Sequence, residues 1–494
     1  MTAVVRGEQA PGPSGAVIAA GDVTACWQLA RSRIAAGQRF AGLFATGGGD
    51  VKALSVLLAR PDGIDALETV LPPGATGYPA LTPHVGAAFW YERVIHDLAG
   101  LVPHGHPRLA PLVRPGSPTD PSPGRHVEGY GLFTIPHGPV RSGVLESMEY
   151  LVETPGEAIP HLNMRIFYKH RGIAGRFTGL GAADGVLLAE RAEGIASVAH
   201  ALAYCHAIES IAGCTVPAQA ARLRVVHAEL ERVANHLDAA ARLCDASGLA
   251  VATARLALHK ERVLRLVSGL CGSRFCRGVI VPGGVSGPPA MGGGDLVSAV
   301  GALERAVSAD AESLMGTSSF LDRLRGTGPL TAARAREHGA LGPVGKACGY
   351  ADDARVARPY DAYPLTLPVS LPSAGPGPAG DALARLHVRW EEIGQSFDLI
   401  RAAATQLRLD DNSKLRLRAP CDPADGRGLG WAEAPQGEVI YDVTLSAGRI
   451  VACQPRSPSF HNLVLMHEVF QGDILTDFPF IEASFGLSVA GAAL

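Results

Sequence analysis

The sequence predicts an α+β protein, with a small N-terminal α/β domain followed by a large, mainly helical-bundle domain that carries peripheral β-hairpins. Helical and strand-like patterns alternate at the front of the chain, long amphipathic stripes dominate the back, and a proline-rich segment separates the two. A chain of 494 residues also exceeds what one ordinary core accommodates, so two or more domains are expected.

The front of the chain combines short elements of both kinds. A helical pattern runs from Val23 to Ala36, and strand-like pieces cover Phe40–Ala45 and Ala53–Leu58. The segment from Pro111 to His126 is rich in proline and poor in apolar residues, which favours extended, solvated backbone. We therefore expect one domain at residues 1–112, a linker at 113–128 and a second domain at 129–494.

The back of the chain begins with strand signals between His137 and Ile166 and then becomes helical. After Pro217, which is well placed at a helix start, apolar residues recur in steps of three and four, as expected for a helix with one buried face. These residues are Val226, Leu230, Val233, Leu237, Ala240 and Cys244. Further helices are predicted at Val251–Leu270, Leu296–Leu324 and Asp381–Leu407, and strand-like alternation returns at Glu438–Ala452.

Composition excludes several classes of function. The hydrophobic share of 47 % is that of a globular protein, and a net charge of −3 does not suggest nucleic-acid binding. The N-terminus has no pattern of a signal peptide. The most apolar stretch, Ile195–Gly213, contains His200, His206 and Glu209, so it is interpreted as a buried helix rather than a membrane span.

The nine cysteines are scattered, and only Cys271 and Cys276 lie near each other in sequence. Iron–sulfur and zinc sites normally use clustered thiolates, so buried, reduced thiols are expected instead. No glycine-rich strand–turn–helix fingerprint is present, and Thr46–Asp50 is interpreted as a loop, so NAD(H) binding is not expected.

The segment Trp90–Leu109 resembles the signature of the 30-kDa subunit of respiratory complex I. The resemblance is carried by Glu92, Arg93, Asp97, Gly100, Gly105, His106, Pro107 and Arg108, in the family's order. For these residues a role in docking, rather than in chemistry, is expected.

From Gly131 onward the chain resembles the large subunit shared by [NiFe] hydrogenases of the formate hydrogenlyase type (including hydrogenase-4) and the 49-kDa subunit of complex I. The motifs that match in order include Gly138–Glu146, Phe167–Gly172, Ala189–Ala196, Arg358–Asp361, Glu433–Gly437, Pro458–His461 and Asp477–Pro479. The resemblance implies the fold of that family and a place in a multi-subunit oxidoreductase complex.

The sequence departs from this family's pattern at the positions of the metal ligands. Hydrogenases of this family hold nickel and iron with four thiolates, two near the first long helix and two at the C-terminus. Here those positions fall on Glu193 and Ala196, and near Ser488 and Gly491. Because soft thiolates suit nickel and these side chains do not replace them, no nickel site of the known type is expected, and no cofactor is expected in this chain.

In complex I the equivalent space accepts the quinone head group, and quinone reduction requires proton donors. The residues interpreted as catalytic are His137, Arg141, Glu146, His170, Glu193 and His200. Glu146 matches a proton-relaying carboxylate of hydrogenases, whereas Glu193 is interpreted either as a proton carrier or as a helix-start carboxylate. His170 is interpreted as more structural than catalytic.

The resemblance implies an oxidoreductase subunit that is cytoplasmic and attached to the inner face of the cell membrane through its partners. Those partners are a small [4Fe–4S] subunit and antiporter-like membrane subunits, with quinone as one candidate acceptor. Three functions stay open: electron and proton transfer without nickel, a non-catalytic scaffold of such a complex, and a hydrogenase or formate hydrogenlyase of the usual kind.

Overall fold

The computed structural model describes residues 15–47, 52–113, 129–141, 146–363, 380–408 and 417–494. The predicted linker, apart from Val113, and most of the predicted loop at Thr46–Asp50 lie outside these residues. The division into two domains stays a prediction, and the two parts of the chain are described in turn.

The front part is a small sheet covered by two helices. Its elements are β1 (Val17–Ala19), α1 (Val23–Ala35), β2 (Arg39–Thr46), β3 (Ala53–Arg60), β4 (Gly63–Val70), β5 (Gly77–Pro79), α2 (Phe89–Ala99) and β6 (Val102–His104). The order in the main sheet is β1-β4-β3-β2, with β1 parallel to β4 and the other pairs antiparallel. Trp27 of α1 and Tyr91 of α2 are buried in its core, so the predicted helix and both strands are confirmed.

The residues that resemble the 30-kDa signature fix the end of this part. Asp97 accepts hydrogen bonds from the backbone N–H groups of Leu112 and Val113 at 2.7 and 2.9 Å. The Arg93 guanidinium donates to the carbonyl oxygen of Ala110 at 2.6 Å. These contacts direct the chain where it leaves the front part, which fits a docking role.

The back part begins with a three-stranded sheet and continues into helices. Its elements are β7 (Phe133–His137), β8 (Glu149–Thr154), β9 (His161–Arg165), α3 (Ile173–Arg176), α4 (Gly185–Ala189), α5 (Ser197–Ala212), α6 (Ala218–Ala246), α7 (Ala250–Cys271), β10 (Ile280–Val281), β11 (Gly284–Val285), α8 (Gly293–Met315), α9 (Ser318–Leu324), α10 (Ala332–His338), α11 (Gly342–Lys346), α12 (Ala354–Ala357), α13 (Ala382–Thr405), β12 (Gly426–Ala434), β13 (Gly437–Ser446), β14 (Arg449–Arg456), α14 (Pro458–Leu463), α15 (Met466–Val469), α16 (Phe478–Phe485) and α17 (Val489–Ala492).

The helical bundle is built on α6, which packs against α7 and α13. All six residues of the predicted stripe on α6 are buried, so its helical period and buried face are confirmed. The helix predicted at Leu296–Leu324 is instead two helices, because α8 ends before Gly316 and α9 begins at Ser318. Glycine and the following threonine are weak helix formers, and they explain the break.

The sheet of β12, β13 and β14 lies inside the back part, although the sequence predicted peripheral hairpins. It packs directly on the buried helix α5. Glycines allow this close approach, since a Cβ at Gly430 would lie 2.2 Å from the Ala203 carbonyl oxygen and one at Gly428 would lie 2.4 Å from that of Ala207. The middle strand, β13, is buried along nearly all of its length, so this sheet belongs to the core.

One buried carboxylate joins the front and back parts. Glu438 of β13 is bonded by Arg39 of β2 at 2.6 Å and by Arg456 of β14 at 2.6 Å. Arg358 bonds the same carboxylate at 2.9 Å. Because a buried charge is tolerated only when it is paired, this group fixes the two parts relative to each other.

A second group of buried charges lies in the bundle. Lys346 bonds both Asp353 and Glu392 at 2.6 Å, and Arg355 bonds Asp353 at 2.7 Å. Although burial alone would raise it, the pKa of Asp353 is lowered far below its usual value, since Arg355 and Lys346 stabilise the anion. The pKa of Glu392 is lowered for the same kind of reason, chiefly by Lys346.

These lowered pKa values predict how stability depends on pH. Asp353 and Glu392 stay ionised in the folded chain but bind protons in the unfolded chain, so their contribution is complete above about pH 4 and is lost as the pH falls further. Burial raises the pKa of Glu433 to about 8, so this group destabilises the folded chain as the pH rises above the usual pKa of a glutamate. It does not contribute to the loss of stability in acid. We expect Asp353→Asn to lower the free energy of unfolding at pH 7 by about 3–5 kcal/mol and to reduce its decrease below pH 4, as measured by urea denaturation.

The exposed Asp62 provides the control. Asp62→Asn should leave the free energy of unfolding and its dependence on pH close to those of the original chain, because water and salt screen an exposed ion pair. Equal acid sensitivity of the Asp353→Asn variant and the original chain would contradict the assignment.

Candidate functional site

The positions that replace the expected thiolates converge in the structure. Glu193 and Ala196 lie just before α5, with Ala196 as the residue that caps it, while Ser488 caps α17 and Gly491 lies within that helix. A Cβ at Gly491 would lie 2.3 Å from Oε2 of Glu193, so the C-terminal tail contacts the Glu193 carboxylate directly.

The Glu193 carboxylate is completely buried and hydrogen-bonded on both oxygens. Ser459 donates to Oε1 at 2.7 Å, and Ser457 donates to Oε2 at 2.6 Å. Nε2 of His200 lies 3.2 Å from the same Oε2, one turn along α5. Sequence analysis predicted Glu193 and His200 as site residues, and the structure brings them together.

His200 connects the carboxylate to a phenol. Its Nδ1 lies 3.0 Å from the hydroxyl oxygen of Tyr441 on β13, and burial raises the pKa of that phenol well above its usual value. With a neutral imidazole, Nε2–H donates to Glu193 and Nδ1 accepts from Tyr441. If the imidazole gains a proton, the bond to Tyr441 reverses direction while the heavy atoms stay in place. The three side chains therefore form one continuous chain of hydrogen bonds.

Glu146 contacts the same tail from the other side. Its carboxylate accepts a hydrogen bond from the Ser488 hydroxyl at 2.8 Å and from the backbone N–H of Ala490 at 3.1 Å, with Val489 N–H as a third donor. The backbone N–H of Ser488 in turn donates to Oγ of Ser459 at 3.1 Å. Glu146 and Glu193 thus belong to one hydrogen-bonded group, but the link between them passes through a backbone amide, so it orients the two carboxylates without forming a continuous proton wire.

Arg171 ties the helix start to the tail. Its guanidinium donates to the carbonyl oxygen of Ala490 at 2.9 Å and also to that of Ala192. Burial lowers the pKa of Arg171, while the carboxylates of Glu146 and Glu193 oppose that shift. Sequence analysis placed His170 among the site residues; it is half-buried beside Arg171, and Arg171 makes the bonds to both segments.

His137 and Arg141 form a second cluster around Glu482 of α16. Arg141 binds both carboxylate oxygens of Glu482, at 2.9 and 2.8 Å, and the Tyr150 hydroxyl donates to Oε1 at 3.0 Å. The His137 ring stacks on Tyr150 and meets Phe478 edge to face. Burial, and then Arg141, lower the pKa of His137, while Glu482 opposes this shift.

Several members of these clusters were not predicted from the sequence: Tyr150, Arg171, Tyr441, Ser457, Ser459 and Glu482. Ser457 and Ser459 lie immediately after β14, where Ser457 caps α14. A hydroxyl at a helix cap is a recognisable signal, but its bond to a carboxylate more than 260 residues away is not readable from the sequence.

Comparisons with known proteins agree with both parts of the chain. Residues 52–125 match the family described as respiratory-chain NADH dehydrogenase, 30 Kd subunit, and residues 248–419 match the 49 Kd subunit. The chain is 31 % identical over 353 residues to the carbon monoxide-induced hydrogenase of Rhodospirillum rubrum, which covers 71 % of this chain and 96 % of that protein. It belongs to the family of hydrogenase and complex I large subunits.

Other members of this large-subunit family are similarly related. Formate hydrogenlyase subunit 5 of Escherichia coli is 27 % identical, with 82 % of this chain and 75 % of that protein covered. The alpha subunit of the membrane-bound hydrogenase of Pyrococcus furiosus is 30 % identical, with 69 % and 83 % covered. The structure of a membrane-bound sulfane sulfur reductase, an archaeal respiratory membrane complex, gives a TM-score of 0.67 at 22 % identity over 74 % of this chain and 99 % of that one, which confirms the fold.

The chain is therefore an oxidoreductase subunit of a multi-subunit complex, as the sequence predicted. Within the described residues, no helix has both the length and the apolar character needed to cross a bilayer.

The residues at these four positions do not fit the nickel–iron centre that the sequence resemblance implies. The side chains at the four positions are a carboxylate, a methyl group, a hydroxyl and a hydrogen atom, and none is a soft ligand. The Glu193 oxygens are engaged by serine hydroxyls and an imidazole, and the Gly491 backbone lies against them. The Glu193 carboxylate itself fills the space between the helix start and the tail.

The contact between Glu193 and Gly491 predicts a steric effect. We expect Gly491→Ala to lower the free energy of unfolding by about 1–3 kcal/mol, because the new Cβ would overlap the buried carboxylate. Gly394 on α13, where a Cβ meets no atom within 4 Å, supplies the matched control, and Gly394→Ala should be neutral or stabilising by about 0.5–1 kcal/mol. Urea denaturation measures both, and equal stability of the two variants would show that the tail does not pack as described.

Proposed function

We propose that this chain is the large subunit of a membrane-associated, complex I-like or formate hydrogenlyase-like complex, and that it supports electron and proton transfer beside a partner [4Fe–4S] subunit without nickel. The observation that supports the proposal is the hydrogen-bonded unit of Glu193, His200 and Tyr441, in which Glu193 is one of the four positions where the family resemblance led us to expect a thiolate. A carboxylate, an imidazole and a phenol exchange protons, whereas thiolates bind soft metals.

The geometry supports a proton function more than a purely steric one. Glu193 is joined to His200 at 3.2 Å, and His200 to Tyr441 at 3.0 Å, so a proton taken up at the imidazole is stabilised on one side by an anion and on the other by a phenol oxygen. Glu146, half-buried on the other side of the tail, is the carboxylate nearer to solvent. We assign Glu193 and His200 the proton-holding role and Glu146 the role of exchanging protons with the outside.

The proposal also includes the partner subunits, the electron acceptor and the location of the chain. A small [4Fe–4S] subunit would supply or receive electrons, and antiporter-like membrane subunits would couple the reaction to ion movement. Quinone is one candidate acceptor. The chain would then lie on the cytoplasmic face of the cell membrane and be held there by those subunits. The support is the membership in a family whose relatives carry the names membrane-bound hydrogenase and NADH-quinone oxidoreductase.

A second candidate function is a scaffold that keeps the fold for assembly and performs no chemistry. One observation favours it: Glu193 is fully buried, and protein groups bond both of its oxygens, as in a structural carboxylate. The third alternative, a hydrogenase or formate hydrogenlyase of the usual kind, is disfavoured by the ligand chemistry at the four positions.

The substitution Glu193→Gln separates the first two functions. It keeps the size and most hydrogen bonds but removes the charge that stabilises a protonated His200. If the chain handles protons, electron transfer by the intact complex should fall by about 10²-fold or more, while the complex still assembles. The measurements are native electrophoresis of the complex and its rate with its membrane acceptor.

Glu92 is the matched control, since it is also completely buried and accepts hydrogen bonds from Leu81 N–H and the Thr82 hydroxyl. Glu92→Gln should leave the rate per assembled complex unchanged. A Glu193→Gln complex that assembles and works at the full rate would support the scaffold.

Metal analysis of the purified complex tests the third alternative. We expect no stoichiometric nickel, because the four positions offer no thiolate. About one nickel ion per chain, lost on substitution of Glu193 and Ser488, would overturn the proposal.

A further inference from the structure

A group of two cysteines and one histidine lies apart from the site described above. The sulfur atoms of Cys271 and Cys276 and a ring nitrogen of His227 all lie within 4.8 Å of one another. Sγ of Cys276 is 3.2 Å from Nδ1 of His227. Among the described residues, this is the one group of three or more histidine, cysteine and acidic side chains close enough to hold a metal ion.

Three elements build this group. His227 lies on α6, Cys271 is the last residue of α7, and Cys276 lies in the loop that follows. The backbone of Cys276 has φ +53°, a left-handed conformation that residues other than glycine seldom adopt. Cys276 is nevertheless buried with its sulfur directed at His227. The sequence analysis expected no clustered thiols, and the structure corrects that expectation.

The donor set is that of a zinc site. Two thiolates and an imidazole are common zinc ligands, and tetrahedral bonds of about 2.3 Å to sulfur and 2.0 Å to nitrogen place the ligand atoms about 3.5–3.8 Å apart. The observed 3.2 Å, and the upper limit of 4.8 Å for the whole group, lie close to these values. At present the Cys271 thiol is 3.2 Å from the Val267 carbonyl oxygen, and ionisation on metal binding would remove that hydrogen bond.

One of the three proposed ligands, Cys276, also borders a cavity. Cys276 lines a cavity of about 150 Å³ together with Ser197, Glu231 and Asn235. This volume is large enough for a water molecule, and Glu231 and Asn235 are polar groups within a mostly apolar lining. Zinc with three protein ligands and a water molecule is a common arrangement.

We propose that His227, Cys271 and Cys276 bind one zinc ion, with a water molecule from this cavity as the fourth ligand. The ion fixes the loop after α7 against α6. That loop also bonds the segment that leads to the functional site, because the Gly278 N–H donates to Glu190 at 2.7 Å, three residues before Glu193. The zinc ion therefore has a structural role behind the helix start. This inference does not depend on the proposed function.

The test uses the full-length chain, purified anaerobically, exposed to zinc and then desalted. We expect about one zinc ion per chain by mass spectrometry of the metals, and a cobalt-substituted sample should show the thiolate-to-cobalt absorption of a tetrahedral site. Substitution of both Cys271→Ser and Cys276→Ser should abolish zinc retention and this absorption. The single variant Cys271→Ser, at a half-buried helix end, should fold and bind zinc at least about tenfold more weakly.

Cys214 and Cys421 provide a matched control, since they are a second pair of half-buried cysteines with adjoining thiols. The double variant Cys214→Ser with Cys421→Ser should keep its zinc. The proposal is wrong if the original chain neither retains zinc nor gives the cobalt absorption. It is also wrong if the control pair loses zinc equally, or if Cys271 and Cys276 are isolated as a disulfide.

Discussion

The site depends on one constraint: a carboxylate can be buried at position 193 only if protein groups satisfy its oxygens. Ser457 and Ser459, which follow β14, and His200 on α5 do so. Their positions require that the helix start before α5, the segment after β14 and the C-terminal tail meet at one place. A carboxylate without these hydrogen bonds would destabilise the fold by several kcal/mol. The hydrogen bonds can form only if these segments meet, so burial of Glu193 depends on that convergence.

The same constraint links Glu193, Ser488 and Gly491, three of the positions where the sequence resemblance led us to expect nickel ligands. A glutamate is longer than a cysteine, and its carboxylate reaches to within 2.3 Å of where a Cβ at Gly491 would stand. Glycine at 491 is therefore needed because Glu193 is present, while Ser488 holds Glu146 and donates its own N–H to Ser459. These residues are complementary in size and in hydrogen bonding. Together they form one hydrogen-bonded arrangement of polar groups.

Much of the fold could be predicted from the sequence, because local patterns encode it. The stripe from Val226 to Cys244 predicted α6 and its buried face, and the apolar stretch after Ile195 predicted a buried helix. The meeting of the Glu193 segment with the tail could be predicted only through the family resemblance. The hydroxyls of Ser457 and Ser459 and the pairing of Cys276 with His227, 49 residues apart, depend on tertiary packing, which short-range patterns do not encode. The central position of the sheet from β12 to β14 was missed for the same reason, since glycine at 428 and 430 is readable as close packing only once α5 is in place.

The choice between a proton carrier and a scaffold turns on what burying a carboxylate costs. A space between a helix start and a tail could be filled by leucine or methionine without the desolvation cost of a charge, and replacing buried charges by apolar side chains often stabilises a protein. Filling space alone therefore does not explain Glu193. Its contact with His200, and that of His200 with Tyr441, add a titratable pair whose hydrogen-bond direction can reverse without movement of heavy atoms. A purely structural carboxylate needs hydroxyl or amide donors, which Ser457 and Ser459 already provide, but it does not need an imidazole backed by a phenol. The imidazole and the phenol are the features that favour proton transfer over support alone.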